Sequence, residues 1–291
     1  MADLLLSRRA ALAGALSLGG ATLAGCNRGE EAEPRVPASA MTLQEAVAGE
    51  WRPPEDKARD AWRHPAETLD FFGLKPGMTV VEMWPGAGWY TDILAPYLAA
   101  SNGKLYAANL QPSDPASVEV VEAYRQKLRS RPRLYGEVEI TAFGPTSGPI
   151  APAGTADLVL TFRNIHNWMA GGIVDKAFAD AFAALKPGGV FGVVEHRAEP
   201  GGVQDPAAAS GYVDQAYVIR LGQEAGFILD RTSEINANPR DTKDHPFGVW
   251  TLPPVGRTSP RGEPVDPDFD RSRYEAIGES DRMTLRFVKP T

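Results

Sequence analysis

A Rossmann-like α/β fold, with a seven-stranded, mostly parallel sheet and helices on both faces, is what this sequence of 291 residues predicts. The first observation behind it is Val80-Val81-Glu82-Met83, an apolar strand with one acidic residue, which passes through Trp84-Pro85-Gly86-Ala87-Gly88 into a helix beginning near Trp89. The second is the alternation that follows, where short apolar runs are separated by segments long enough for parallel crossovers. The third is Lys186-Pro187-Gly188-Gly189, a helix stop placed directly before another apolar run.

Taken in order, the elements after that first strand and helix are a strand over 104–109, a charged helix over about 115–129, and a third strand over 138–143. A fourth strand covers 157–162. The alanine-rich stretch 174–185 has helical apolar spacing and leads to a fifth strand at 190–195. A helix over about 213–225, a strand near 227–233 and a last strand at 282–288 make seven. Ahead of all this, residues 41–73 read as helical, with His64-Pro65 at a helix boundary because proline suits a first turn. The Pro- and Gly-rich stretch of about 237–280 is too long for a plain turn; it reads as either a substrate cap or a surface loop.

In an open α/β sheet, ligands lie over the carboxyl ends of the strands, and glycines there let backbone approach closely. The turn after Glu82 departs from the dinucleotide fingerprint, because Thr91 stands where a third small residue is needed and Trp89 and Tyr90 crowd the helix start. It resembles instead motif I of class I S-adenosylmethionine-dependent methyltransferases, on Glu82, Gly86 and Gly88, with Trp84 replacing the usual first glycine. The Leu-Lys-Pro-Gly-Gly stop is similar to one that recurs in that superfamily. Its closing strands are an antiparallel pair, which the long polar connection before 282–288 matches, so the resemblance adds an antiparallel last strand. It implies S-adenosylmethionine as cofactor, held by Glu82, Trp84, Gly86, Gly88, Tyr90 and Asn109. Asn109 departs from the usual acidic residue at the ribose hydroxyls, a loss of about 1 kcal/mol of charge-assisted hydrogen bonding.

More narrowly, Glu-x-x-Pro-Gly-x-Gly-Trp-Tyr-Thr, Arg163-Asn164-x-His166-Asn167-Trp168 and Glu195-His196-Arg197 together resemble a bacterial family of exported proteins read as methyltransferases. Strands four and five are neighbours in this topology, so Arg163, Asn164, His166, Glu195 and His196 converge and form the candidate catalytic set. His166 or His196 is the candidate proton acceptor, with Glu195 raising the basicity of an imidazole. Strand alternation argues against Glu195 and His196 both facing the pocket. A structural hydrogen-bond network is the competing reading. Another is a metal held by His166, Glu195 and His196, joined by His64 or His245, although no dense ligand motif is present and no metal is expected.

The amino terminus carries a separate message. Arg8-Arg9 precede the modestly apolar stretch 10–24, and Leu23-Ala24-Gly25-Cys26 matches a bacterial lipobox, so residues 1–26 read as a lipoprotein leader of possible twin-arginine type. Cys26 would carry the lipid and hold the protein to a membrane facing the periplasm, and residues 27–40 read as a flexible tether. Cys26 is the single cysteine, so disulfides and thiolate chemistry are excluded elsewhere. A net charge of −7 without a basic cluster argues against nucleic acid as the main partner. The expected partner is a small-molecule or envelope acceptor. Export stands in tension with a cofactor made in the cytosol, which leaves a non-catalytic ligand-binding lipoprotein, or a cytosolic enzyme with a misleading leader, as alternatives.

Overall fold

Alternate residues of the central strands enter two separate cores, and that division decides the architecture. Val80, Leu105, Ala107, Leu158 and Leu160 face one core, and Val81, Met83, Tyr106, Ala108 and Val159 face the other. Strands apolar on both sides must be covered on both sides. A computed structural model describes residues 41–291. The leader, Cys26 and the tether predicted for 27–40 lie outside the described residues.

The described residues open with four short helices, α1 (Leu43–Ala48), α2 (Pro54–Lys57), α3 (Asp60–Arg63) and α4 (Pro65–Phe72). The first starts at a reciprocal Thr42/Glu45 cap. Then follow β1 (Thr79–Met83), α5 (Thr91–Ala99), β2 (Lys104–Leu110), α6 (Pro115–Ser130), α7 (Pro132–Tyr135), β3 (Val138–Phe143) and β4 (Ala156–Phe162). Asp114 caps α6, with Pro115 in its first turn. The remainder comprises α8 (Ile165–Ala170), α9 (Val174–Ala184), β5 (Leu185–His196), α10 (Gln215–Glu224), β6 (Ile228–Ser233), α11 (Ser272–Ile277) and β7 (Arg282–Val288).

The sheet has the order β3-β2-β1-β4-β5-β7-β6. β1 to β5 run parallel, and β7 is antiparallel to both β5 and β6. This is the predicted fold class, with the direction of the last strand correct. One local expectation fails: Lys186 to Gly189 is not a separate turn. Leu185 already pairs with Ala156 across a bulge, and Gly188 donates to the Lys289 carbonyl, so the apparent stop is the irregular first part of β5.

Most of the long stretch between β6 and β7 is irregular, with a 3-10 turn at Gly248–Thr251 and then α11. It is pinned by two buried carboxylates. Asp241 accepts from the Tyr212 hydroxyl, His245 Nε2 and the Asp281 backbone N–H, each at 2.8 or 2.9 Å. Asp281 in turn takes Arg197 and the backbone of Asn238. His245 is therefore a structural partner of Asp241. His64, at φ 41°, is the residue before Pro65 at the α3–α4 junction. Among the described residues, no helix is long and apolar enough to cross a membrane.

Candidate active site

At the carboxyl end of β1, Glu82 is 2% exposed and accepts a 2.6 Å hydrogen bond from Thr91 Oγ1, whose oxygen also meets the Tyr124 hydroxyl at 3.1 Å. Burial raises the Glu82 carboxyl to about 7, against the opposing effects of the Thr91 hydrogen bond and Lys127. The turn above it needs left-handed backbone at Trp84 (φ 47°), Gly86 (φ 60°) and Gly88 (φ 86°). Trp84 adopts without glycine what its position demands, a strained conformation held by its surroundings. Its Nε1 donates to the Phe143 carbonyl at 3.0 Å and its ring packs on Phe143 and Trp168. Asn164 Nδ2 closes the turn from the β4 side by donating to the Met83 carbonyl at 2.9 Å.

These residues border a cavity of about 290 Å³ that Glu82, Gly86, Tyr90 and Asn164 share with Asp56, Arg59 and Arg63 of the amino-terminal helices. The expected cofactor set is divided by this geometry. Gly86 is open, with free space where a side chain would stand, whereas Gly88 lies against Tyr124, Lys127 and Thr91 and serves helix packing. Tyr90 stacks on Phe162 at 3.5 Å between ring centroids. The Arg52 and Arg63 guanidiniums both lie over the Trp89 ring, 4.9 and 4.6 Å from its centroid. Asn109, at the end of β2, is 1% exposed and does not border the cavity. Its Oδ1 accepts from Leu110 N–H, and its Nδ2 is buried without a hydrogen-bond partner.

On the other side of Asn164, β4 and β5 bring the second set together. Glu195, fully buried, accepts from the Ile165 and His196 backbone N–H groups at 2.5 and 2.8 Å and pairs with His166 Nδ1 at 3.0 Å. A carboxylate there fixes the Nδ1–H tautomer and leaves Nε2 as the free acceptor. His196 lies close by, its ring centroid 5.3 Å from that of His166, and its Nδ1 meets Ser280 Oγ, so strand alternation does not keep Glu195 and His196 apart as expected. Burial first, with the charges of Arg163 and Arg282 adding to it, pushes the His196 imidazole well down, so it is neutral near pH 7. One ligand atom from each of His166, Glu195 and His196 fits within 4.8 Å, close enough for a cation. Glu195, however, is already occupied by backbone donors and His166, and Arg163 lies nearby.

Arg163 adopts φ 61° at the end of β4, and its backbone N–H donates to the Val194 carbonyl. Its guanidinium reaches Glu279 at 3.5 Å, as do those of Arg59 (2.8 Å), Arg63 (3.0 Å) and Arg282 (3.1 Å). A second cavity, of about 250 Å³, opens beyond this cluster and is bordered by His166, His196, Trp250 and the Pro253-Pro254 corner. Sequence reasoning missed Thr91, Arg59, Arg63, Trp250 and Glu279. The spacing of Arg59 and Arg63 on adjoining helical turns was a weak signal. Nothing local marks Glu279, whose arginine partners include residues more than two hundred positions away.

No family model and no curated protein matches the chain. Among solved structures, the cyclase SpnF aligns with a TM-score of 0.54 and 16% identity over 86% of this chain and 92% of its own. A Galdieria sulphuraria protein with the provisional name sarcosine dimethylglycine methyltransferase gives 0.53 and 15%, over 81% of this chain and 86% of its own. An Aquifex aeolicus SAM-dependent methyltransferase is 22% identical with a TM-score of 0.49, over 67% and 94%. The chain shares the Rossmann-like fold of the first two of these proteins. That fold also serves a cyclase, so chemistry must be read from the site.

Proposed function

We propose that this protein is an S-adenosylmethionine-dependent methyltransferase, tethered to a membrane through lipid on Cys26 and acting on a small-molecule or envelope acceptor. The observation that carries this reading is Glu82, a buried carboxylate at the carboxyl end of β1 bordering a cavity beside the open Gly86 turn. The residues present fit the cofactor: Glu82 suits an ammonium group, and Gly86 leaves space beside it. When bound, the cofactor would supply a methyl group on a sulfonium, already a good electrophile.

The protein's own part is positioning and water exclusion. The amino-terminal helices cover the β1 turn, with Trp51 Nε1 on the Asp92 carbonyl at 2.7 Å and Trp89 Nε1 on that of Asp56 at 3.3 Å. Asn164 holds the turn against β4. Glu195 fixes α8 and orients His166, whose Nε2 takes the proton from an acceptor hydroxyl or amine.

Isothermal titration of the full-length chain, after native mass spectrometry for carried-over ligand, tests the reading. Saturable binding of S-adenosylmethionine and its demethylated product, without NAD binding, is the expected result; no binding to folded, ligand-free protein would remove it. Globomycin should cause accumulation of the uncleaved, lipid-modified precursor in cells, and a pattern unchanged by the drug would end the Cys26 assignment.

A further inference from the structure

We propose that the cavity beyond Arg163 is an oxyanion site, and that the methyl acceptor is a small molecule carrying a carboxylate or phosphate on an apolar body. Treating that anion as the acceptor rests on the methyltransferase reading; the anion site rests on the side chains themselves.

Four guanidiniums, from Arg59, Arg63, Arg163 and Arg282, meet at the single carboxylate of Glu279. Asp56 adds a distant contact to Arg59 at 4.0 Å, and Asp60 is already taken by Arg52 at 2.7 Å. Positive charge is therefore in excess where water is scarce, since the Arg63 and Arg282 side chains are 3% and 2% exposed. Burial first, and then the neighbouring charges of Arg163 and Arg59, push the Arg282 guanidinium down to about 10 against the pull of Glu279. Arg163 is pushed down for the same reason.

The cluster is not closed off. Arg59, Arg63 and Arg163 border the 250 Å³ cavity as well as the Glu82 cavity, so they form the wall between two compartments. Guanidinium forks suit carboxylate and phosphate oxygens better than any other partner. The lining also holds the Glu279 carboxylate that the arginines share, and an apolar part made of Val249, Trp250, Pro253, Pro254 and Val255 from the stretch before β7. His196 is held neutral and so does not repel cations or attract anions by charge, while His166 Nε2 has no hydrogen-bond partner among the described residues. An anion seated on the arginines, with its body on Trp250, would lie alongside His166.

The test is isothermal titration of the full-length chain with phenyl phosphate, benzoate and uncharged benzyl alcohol, each with and without saturating S-adenosylmethionine. At least one anionic probe should bind tenfold or more tightly than benzyl alcohol, should still bind when S-adenosylmethionine is saturating, and should weaken about tenfold in Arg163→Gln. Arg163 makes one 3.5 Å ion contact, so that variant should fold, as circular dichroism would verify. Which anion wins distinguishes a phosphate acceptor from a carboxylate one. Equal binding of charged and uncharged probes overturns the oxyanion site while leaving cofactor binding intact. Displacement of the anion by S-adenosylmethionine, mole for mole, also overturns it, by assigning the arginines to the cofactor's own carboxylate. Anion preference without S-adenosylmethionine binding upholds the oxyanion site and removes the methyltransferase reading beneath it.

Discussion

Glu279→Gln is expected to lose about 3 to 5 kcal/mol of folding stability in urea titrations, the cost of leaving buried charge without its partner. The amide keeps the shape of the side chain but leaves Arg59, Arg63, Arg163 and Arg282 facing one another around a neutral group. Added sulfate should restore part of the loss, and more in the variant than in the wild type, because an anion that binds the folded state stabilises it by mass action. The wild-type comparison is needed because sulfate strengthens burial in general. A loss below about 1 kcal/mol, the level of an exposed ion pair, would mean that water already screens these guanidiniums.

How much of this was legible in the sequence depends on distance along the chain. The β1 turn was legible because strand, acidic residue, glycines and helix start lie within a dozen consecutive residues, and short-range pattern records short-range geometry. The meeting of His166 with Glu195 was legible one level up, since neighbouring β4 and β5 place both strand ends at one edge. Alternation did not keep Glu195 and His196 apart: both converge on His166 at the strand end, with His196 bordering the cavity and Glu195 buried beneath α8. Trp84 serves twice: it borders the Glu82 cavity, and it satisfies its indole N–H on Phe143 and packs its ring against Phe143 and Trp168. Gly88 could not be told from Gly86 in the sequence, because a glycine that lies against a neighbouring helix looks identical to one that makes room for a ligand. The arginine cluster was illegible. Its members come from α3 and its flank, the end of β4 and the start of β7, and only the folded chain brings them to one carboxylate.

Glu82→Gln should raise stability and weaken cofactor binding in the same protein, and the pH dependence of both effects follows from one titration. Burial lifts the folded-state carboxyl from 4.5 to about 7, so between those values the folded chain holds a proton that the unfolded chain has lost. Stability from this group is therefore greatest below pH 4.5 and is lost as pH rises through 7, by about 3 kcal/mol in all. Gln imitates the protonated carboxyl and can still accept from Thr91, so the variant should match the wild type near pH 4.5 and exceed it by up to that amount at pH 8. Binding runs the other way. An ammonium needs the ionised form, so wild-type affinity for S-adenosylmethionine should climb up to tenfold per pH unit below 7 and level off above it. The variant should bind some ten- to a hundredfold more weakly at pH 8, with no pH dependence from this group, as loss of a hydrogen bond to a charged partner implies. Paired urea and calorimetric titrations at pH 5.5 and 8 separate the roles of Glu82. A variant that is less stable at pH 8 and binds as well as the wild type would make the carboxylate a structural acceptor for Thr91 and move the ammonium contact elsewhere; opposite shifts in stability and affinity come from a buried acid kept near neutrality until its ligand arrives.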